Sequence, residues 1–196
     1  TRGAMLYDAS LPGHAEEGWF DPDRWHGRLS VERQAGGRGT VAFLRDDARR
    51  WVLRHYRRGG AVARVLDDRY LYTGADRTRG FREWRLLREL AALGLPAPRP
   101  VAARYRRDGP LYRADLLTVE LPSRTTLAQA LVSDPLPMQR WSDIGRCIGR
   151  FHAHGVRHAD LNANNIVLGP AREVYLLDFD RGRIVARGAW EDAVLA

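Results

Sequence analysis

The chain has 196 residues, 44% hydrophobic and 29% charged, the balance of a globular protein large enough to bury a core as one domain or two small lobes. No apolar run approaches the roughly 18 residues of a membrane span, and the N-terminus lacks the apolar stretch of a secretory leader. A single cysteine, Cys147, excludes an internal disulfide framework, fits a reducing compartment, and sits in a helical pattern that predicts a buried structural thiol. Net charge is +8, and all 32 basic residues are arginine. Guanidinium groups bind phosphate and carboxylate bidentately and never deprotonate. An anionic partner follows (nucleic acid, a phosphorylated metabolite or an anionic membrane surface), and charge alone does not choose among them.

Residues 1–30 read as an N-terminal arm with an aromatic cluster at Trp19, Phe20 and Trp25, expected to dock on the domain rather than dip into lipid. Phe20 to Asp23 reads as a helix start with Pro22 in its first turn. Gly36, Gly37 and Gly39 then separate two strand candidates, Val31 onward and Val41–Leu44. Glycines there permit a turn whose backbone approaches phosphates closely, although an ordinary glycine-rich hairpin looks the same. After a turn at Asp46-Asp47 comes a third strand, Trp51–Tyr56, carrying Arg54, with Arg57 and Arg58 as neighbouring cations. Ala61–Leu66 fits helix or extended chain, and Leu71-Tyr72 a short strand.

From Thr78 to Leu93, apolar residues at Phe81, Trp84, Leu87 and Leu90 recur at three- and four-residue steps, predicting a helix closed by Gly94 and Pro96. Glu83 within it is either a partner of Arg54 or a solvated carboxylate paired locally with Arg79 or Arg82; Glu89 is a second candidate. A stiff connector, Leu95–Pro100, leads to two antiparallel strands, Val101–Tyr105 and Tyr112–Val119, across a turn at Arg107-Asp108-Gly109-Pro110. Glu120 to Ser123 follows, then a short helix over Leu127–Val132. Trp141, Ile144, Ile148 and Phe151 share one helical face, stopped at Gly155.

The next stretch carries the chemistry. Asp160 and Asn165 precede the apolar run Ile166–Leu168, a turn at Gly169-Pro170 and the strand-like Val174–Leu177, after which comes Asp178. Folding this hairpin back gathers Asp160, Asn165 and Asp178 at one end. Two carboxylates and an amide suit a hard, oxygen-seeking cation such as Mg2+, with one carboxylate left over as a base. Three histidines, His152, His154 and His158, lack the Cys or carboxylate spacing of a zinc site; His158 is expected to brace the loop.

His158, Asp160, Leu161 and Asn165, followed by Asp178-Phe179, resemble the catalytic-loop and metal-binding motifs of protein kinases. That resemblance implies Asp160 as catalytic base, Asn165 and Asp178 as metal ligands, and Gly36, Gly37 and Gly39 as a loop over the ATP phosphates. It further implies Arg54, in the place of the usual lysine, gripping phosphate and paired with Glu83, and main-chain groups near Glu120 receiving adenine. Asp180 stands where kinases have a glycine, either as a further ligand or, the preferred reading, as an acceptor for Arg181 or Arg183.

Ala35–Thr40, Val52–Gly60, Phe81–Trp84, His158–Asn165 and Asp178–Arg181 more narrowly resemble the Kdo kinases of the bacterial lipopolysaccharide kinase family, over most of residues 19–190. The resemblance implies an α+β, protein-kinase-like two-lobe fold: an arm (1–30), an antiparallel-sheet N-lobe (31–121) and a small, mainly helical C-lobe (122–196), minimal or continued by helices beyond this sequence. It implies ATP and Mg2+ as cofactors and a Kdo sugar hydroxyl on a lipid A precursor as acceptor. It also implies a peripheral place on the cytoplasmic face of the inner membrane, against its anionic surface, and no nucleic-acid partner. Heptose kinases of the same group are the near alternative, aminoglycoside- or choline-kinase-like enzymes a further one, and a non-catalytic pseudokinase module the non-enzymatic one.

Overall fold

Runs rich in aromatic and aliphatic residues, Arg50–Tyr56 and Leu111–Val119, build the centre of an antiparallel sheet in a computed structural model of the chain, which describes residues 2–11, 16–22, 39–45, 48–57 and 68–186. Trp25, Gly36, Gly37, Arg58, Ala61–Leu66 and Trp190–Ala196 lie outside the described residues. The chain divides into two compact units: residues 1–84 with 99–120, and residues 85–98 with 121–196. Among the described residues the architecture is mixed, an antiparallel sheet with three α-helices, and no helix is long and apolar enough to cross a membrane.

In the first unit the strands are β1 (Arg2–Tyr7), β2 (Gly39–Arg45), β3 (Arg50–Tyr56), β4 (Tyr70–Leu71), β5 (Pro100–Asp108) and β6 (Leu111–Val119). Their order is β1-β5-β6-β3-β2, with β4 also on β6. The sequence reading placed no strand in residues 1–30; β1 exists because all six of its residues pair with β5, Arg2 opposite Arg107 through Tyr7 opposite Ala102. The β5–β6 hairpin turns through Gly109, whose φ of 58° is left-handed and favours glycine.

Pleating sends Trp51, Leu53 and His55 of β3 to one face and Arg54 and Tyr56 to the other. Trp19 and Phe20 cover the first face, packing with Leu44, Trp51, Leu53, Ala102 and Leu117. Burying each such aromatic stabilises by about 1.5–3 kcal/mol, enough to hold this short segment on the sheet. A 3-10 turn at Glu17–Phe20, capped by Asp21, precedes the helix start expected at Phe20–Asp23, which from Asp23 on lies outside the described residues. Arg104 explains the placement: it donates to the Glu17 carboxylate (2.7 Å) and the Phe20 carbonyl (3.3 Å), so the turn forms where this guanidinium can reach it.

The start of helix α1 (Arg79–Ala92), residues 79–84, lies against the other face. Gly80 lies so close to β6 that an added Cβ would sit 3.1 Å from the Asp115 carbonyl. The helix closes as the sequence predicted, at left-handed Gly94, with Leu95 N–H donating to Leu90 C=O.

The second unit contains α2 (Leu127–Ser133), opened by a reciprocal cap between Thr126 and Gln129, and α3 (Met138–Ala153). The buried face of α3 is Asp143, Ile144, Cys147 and Phe151; Trp141, expected on that face, is exposed, and Ile148 is half-buried. The hairpin β8 (Ile166–Leu168) and β9 (Val174–Leu176) decides the rotation. It is fastened to α3 by Arg172 on the Asp143 carboxylate (2.7 and 3.1 Å), Arg140 on the Ala171 and Gly169 carbonyls, and Cys147 on the Val174 carbonyl. Burial pushes the Cys147 thiol up to about 11, so it stays protonated, a structural group. Beyond the hairpin, β10 (Arg183–Ile184) pairs with β7 (Val156–Arg157). Gly155 is required there: its φ is 72°, and a Cβ would fall 2.2 Å from the Val185 carbonyl.

Candidate active site

In the second unit, Ile166 pairs with Leu176 and Leu177 N–H donates to the Asn165 carbonyl (2.8 Å), so Asn165 and Asp178 sit at the same end of the β8–β9 hairpin. Asp160 joins them through its main chain: its carbonyl accepts from Asn165 Nδ2 (2.7 Å) and Asn162 Nδ2 (3.2 Å). Asn162 also caps the short turn Ala163–Asn165 by accepting from the Asn164 N–H. Both carboxylates, Asp160 and Asp178, are exposed. The Asn165 amide nitrogen is held by Asp160, which leaves its oxygen as the atom suited to a cation.

His158 ties this end together. Its Nδ1 accepts from the Asp160 N–H (3.1 Å), and its Nε2 donates to the Leu177 carbonyl (2.7 Å), an arrangement only the neutral Nε2–H tautomer satisfies. Burial lowers its pKa, against the opposing pull of the Leu177 carbonyl and the Asp178 and Asp160 carboxylates. The imidazole also packs on Phe179 (centroids 4.9 Å apart), which stacks on Phe151 of α3 at 5.6 Å. This buried His158–Phe179–Phe151 column fixes the spacing between the loop before β8 and the loop after β9. The sequence reading had the brace at His158 but not the part of Phe179, whose signal was its apolar ring between two aspartates.

Asp178 has a φ of 59°, a left-handed conformation that aspartate tolerates better than most residues. Arg181 has a φ of 64°, and the turn closes with Gly182 N–H on the Phe179 carbonyl. The left-handed positions therefore fall at residues 178 and 181. Asp180, in the place of a glycine, needs no glycine-like backbone.

In the first unit the cation of β3 is built. Arg54 is ion-paired through Nη2 with the Glu83 carboxylate, which is buried; Tyr56 donates to the same Glu83 Oε2 at 2.6 Å. Glu83 is thus the Arg54 partner, not a solvated surface carboxylate. Arg57 is exposed one residue beyond the strand. Gly39 begins β2, opposite Tyr56. The Glu120 side chain is buried and accepts from Arg45 (2.6 and 3.0 Å) and Arg50 (3.4 Å). Its N–H donates to the Arg50 carbonyl at 2.8 Å, within the sheet's own bonding.

Any divalent ion at Asp160, Asn165 and Asp178 would meet oxygen donors only, the preference of Mg2+ rather than of zinc, and the exposure of the carboxylates leaves room for phosphate and water ligands. The residues present fit such an ion.

The sequence profile of the Lipopolysaccharide kinase (Kdo/WaaP) family matches residues 22–195. A 3-deoxy-D-manno-octulosonic acid kinase of Xylella fastidiosa (strain M12) is 43% identical over 195 residues, covering 99% of this chain and 78% of the relative. The enzyme of that name from Xanthomonas campestris pv. campestris (strain B100) is 44% identical over 197 residues, with the same coverage. That from Stenotrophomonas maltophilia (strain K279a) is 43% identical over 192 residues, covering 97% of this chain and 76% of the relative. With a family match along most of its length and relatives this similar, the chain belongs to the lipopolysaccharide kinase (Kdo/WaaP) family.

Proposed function

We propose that the protein is an ATP-dependent Kdo kinase, transferring a phosphoryl group to a Kdo sugar hydroxyl on a lipid A precursor in lipopolysaccharide core biosynthesis. The observation that carries this reading is the hairpin end where Asp160, Asn165 and Asp178 converge, in a chain whose relatives carry the Kdo kinase name. Asp160 takes the proton of the acceptor hydroxyl as that oxygen bonds to the γ-phosphorus and the bond to the β–γ bridging oxygen breaks. Asn165 and Asp178 hold Mg2+, which when bound neutralises charge on the β- and γ-phosphates. Arg54, fixed by Glu83, grips phosphate oxygens. A protein-kinase-like two-lobe arrangement, divided near residue 121, goes with this assignment. The test is transfer of labelled γ-phosphate from ATP to a Kdo-bearing lipid A precursor, with and without Mg2+. Metal-dependent labelling of the Kdo unit is expected. Labelling of a heptose acceptor instead would turn the assignment to a heptose kinase, and nucleotide binding without labelling of either would refute both.

We further propose that the enzyme works on the cytoplasmic face of the inner membrane as a peripheral protein. Support comes from the net charge of +8 and from exposed apolar side chains on α2 and α3, among them Leu131, Val132, Met138 and Trp141. Such residues beside arginines suit an anionic interface. Co-sedimentation with vesicles containing about a third anionic lipid should exceed that with zwitterionic vesicles and fall when Val132 and Met138 are both changed to Asp. Equal sedimentation with both vesicle types would remove this placement.

A further inference from the structure

The cation of β3 is held by more than its carboxylate. Two residues along the strand, on the same face, Tyr56 lies under the guanidinium: Arg54 Cζ is 4.7 Å from the ring centroid, and Arg54 Nη2 reaches the Tyr56 hydroxyl at 3.2 Å. That hydroxyl donates to Glu83 Oε2 at 2.6 Å, and Glu83 takes the Arg54 Nη2 as well. Arg54, Tyr56 and Glu83 therefore close a ring of three hydrogen bonds. Tyr56 and Glu83 are buried, the Glu83 side chain to 3% exposure, whereas the Arg54 side chain keeps 22%. Burial and the Glu83 charge raise the Tyr56 pKa well above its ordinary value, so its hydroxyl remains a donor at every physiological pH. Arg79, at the start of α1, lies 5.8 Å from the same ring, so the tyrosine also links the helix that carries Glu83 to the strand that carries Arg54.

We propose that Tyr56 is a positioning residue that lets an arginine serve where protein kinases carry a lysine. This rests on the reading of Arg54 as the phosphate-gripping cation. A lysine ammonium is a compact point charge that one carboxylate can aim. A guanidinium is a planar fork whose orientation decides which N–H groups face a ligand, so it needs a second reference. The ring sets the plane of the fork, and the hydroxyl pins Glu83 independently of Arg54. With Nη2 turned toward Tyr56 and Glu83, the plane and direction of the remaining guanidinium edge are defined before a phosphate arrives. Preorganisation of this kind shows in affinity for charged phosphates and not for the nucleoside.

The test is calorimetric titration of the full chain with Mg2+-ATP and with adenosine, in wild type, Tyr56→Phe, Arg54→Lys and the double variant. Tyr56→Phe keeps the ring and removes the hydroxyl; about a tenfold loss of ATP affinity is expected, with adenosine binding within about twofold. Arg54→Lys should also lose about tenfold, because the frame is shaped for a fork. The double variant should be no more than about twofold weaker than Arg54→Lys, since the tyrosine acts through the arginine. Additive losses in the cycle, or equal losses for ATP and adenosine, would overturn the proposal. Should Tyr56→Phe not fold, Arg54→Lys still decides: ATP binding as tight as wild type overturns it. A wild-type protein that binds no ATP would instead overturn the assignment of Arg54 itself.

Discussion

Asp160→Asn is expected to lower kcat for phosphoryl transfer by about 10²–10⁴-fold while leaving ATP affinity within about twofold. That loss corresponds to about 3–5 kcal/mol of transition-state stabilisation. The substitution is unusually clean here. Every hydrogen bond that frames the loop at this residue uses its main chain: the N–H goes to His158, and the carbonyl accepts from Asn162 and Asn165. The side chain is exposed, so an amide of the same shape leaves the loop in place and removes only the proton acceptor. Measuring kcat at saturating ATP and acceptor, with thermal melts of both proteins, checks this. An Asn variant that keeps more than about a tenth of wild-type kcat would show that Asp160 does not take the proton.

Arg104→Leu is expected to destabilise the protein by about 3 kcal/mol, the low end of the cost of breaking a buried ion pair. Arg104 and Asp115 are both buried and bonded at 2.7 Å, and Arg104 lies over the Phe20 ring at 4.6 Å. Leucine fills the space but leaves Asp115 with His55 alone, and the Glu17 carboxylate and Phe20 carbonyl lose a donor. For a chain of this length the midpoint of thermal unfolding should fall by roughly 6–12 °C. A fall under about 2 °C would mean the network contributes little.

The same variant should sharpen a pH dependence. His55 faces carboxylates through both ring nitrogens, Asp115 at 2.6 Å and Asp68 at 3.1 Å, and each bond needs a proton on the ring. The Asp115 hydrogen bond, opposed by burial, raises its pKa above the ordinary 6.5. Its contribution to stability is therefore complete below 6.5 and lost as pH rises through the raised folded value. With Arg104 gone, the imidazolium is the remaining cation on Asp115, so the variant should lose more stability than wild type as pH rises above 6.5. Parallel stability–pH curves for the two proteins would contradict that.

Much of the second unit was legible because its information is local. The run Asn165–Leu168, the turn at Gly169-Pro170 and Val174–Leu177 specify a hairpin within about a dozen residues, and a hairpin's register places Asn165 and Asp178 together without help from elsewhere. Helix α1 was legible for the same reason, with a 3.6-residue apolar period and a glycine stop. Glu83 was half legible: spacing offered it to Arg54 but equally to its own helix neighbours, and only packing of α1 on the sheet buried it and chose.

What the amino-acid order could not display is whatever depends on strands meeting across long stretches of chain. Arg2–Tyr7 shows no strand alternation, and becomes one because β5, about a hundred residues on, presents an edge with matching hydrogen bonds. His55, Arg104 and Asp115 look like ordinary charges on three segments until the β3–β6–β5 register stacks them on one face under Glu17 and Phe20. The rotation of α3, which exposes Trp141 and buries Asp143, was set by the arginine of the facing hairpin and not by helical periodicity. Sequence by itself determined which residues gather at the hairpin end and the local elements that carry them, because turn residues and short-range periodicity act over a few residues. Tertiary structure alone decided which charges are paired and which aromatic rings aim them, because burial and cross-strand register arise only when distant segments meet.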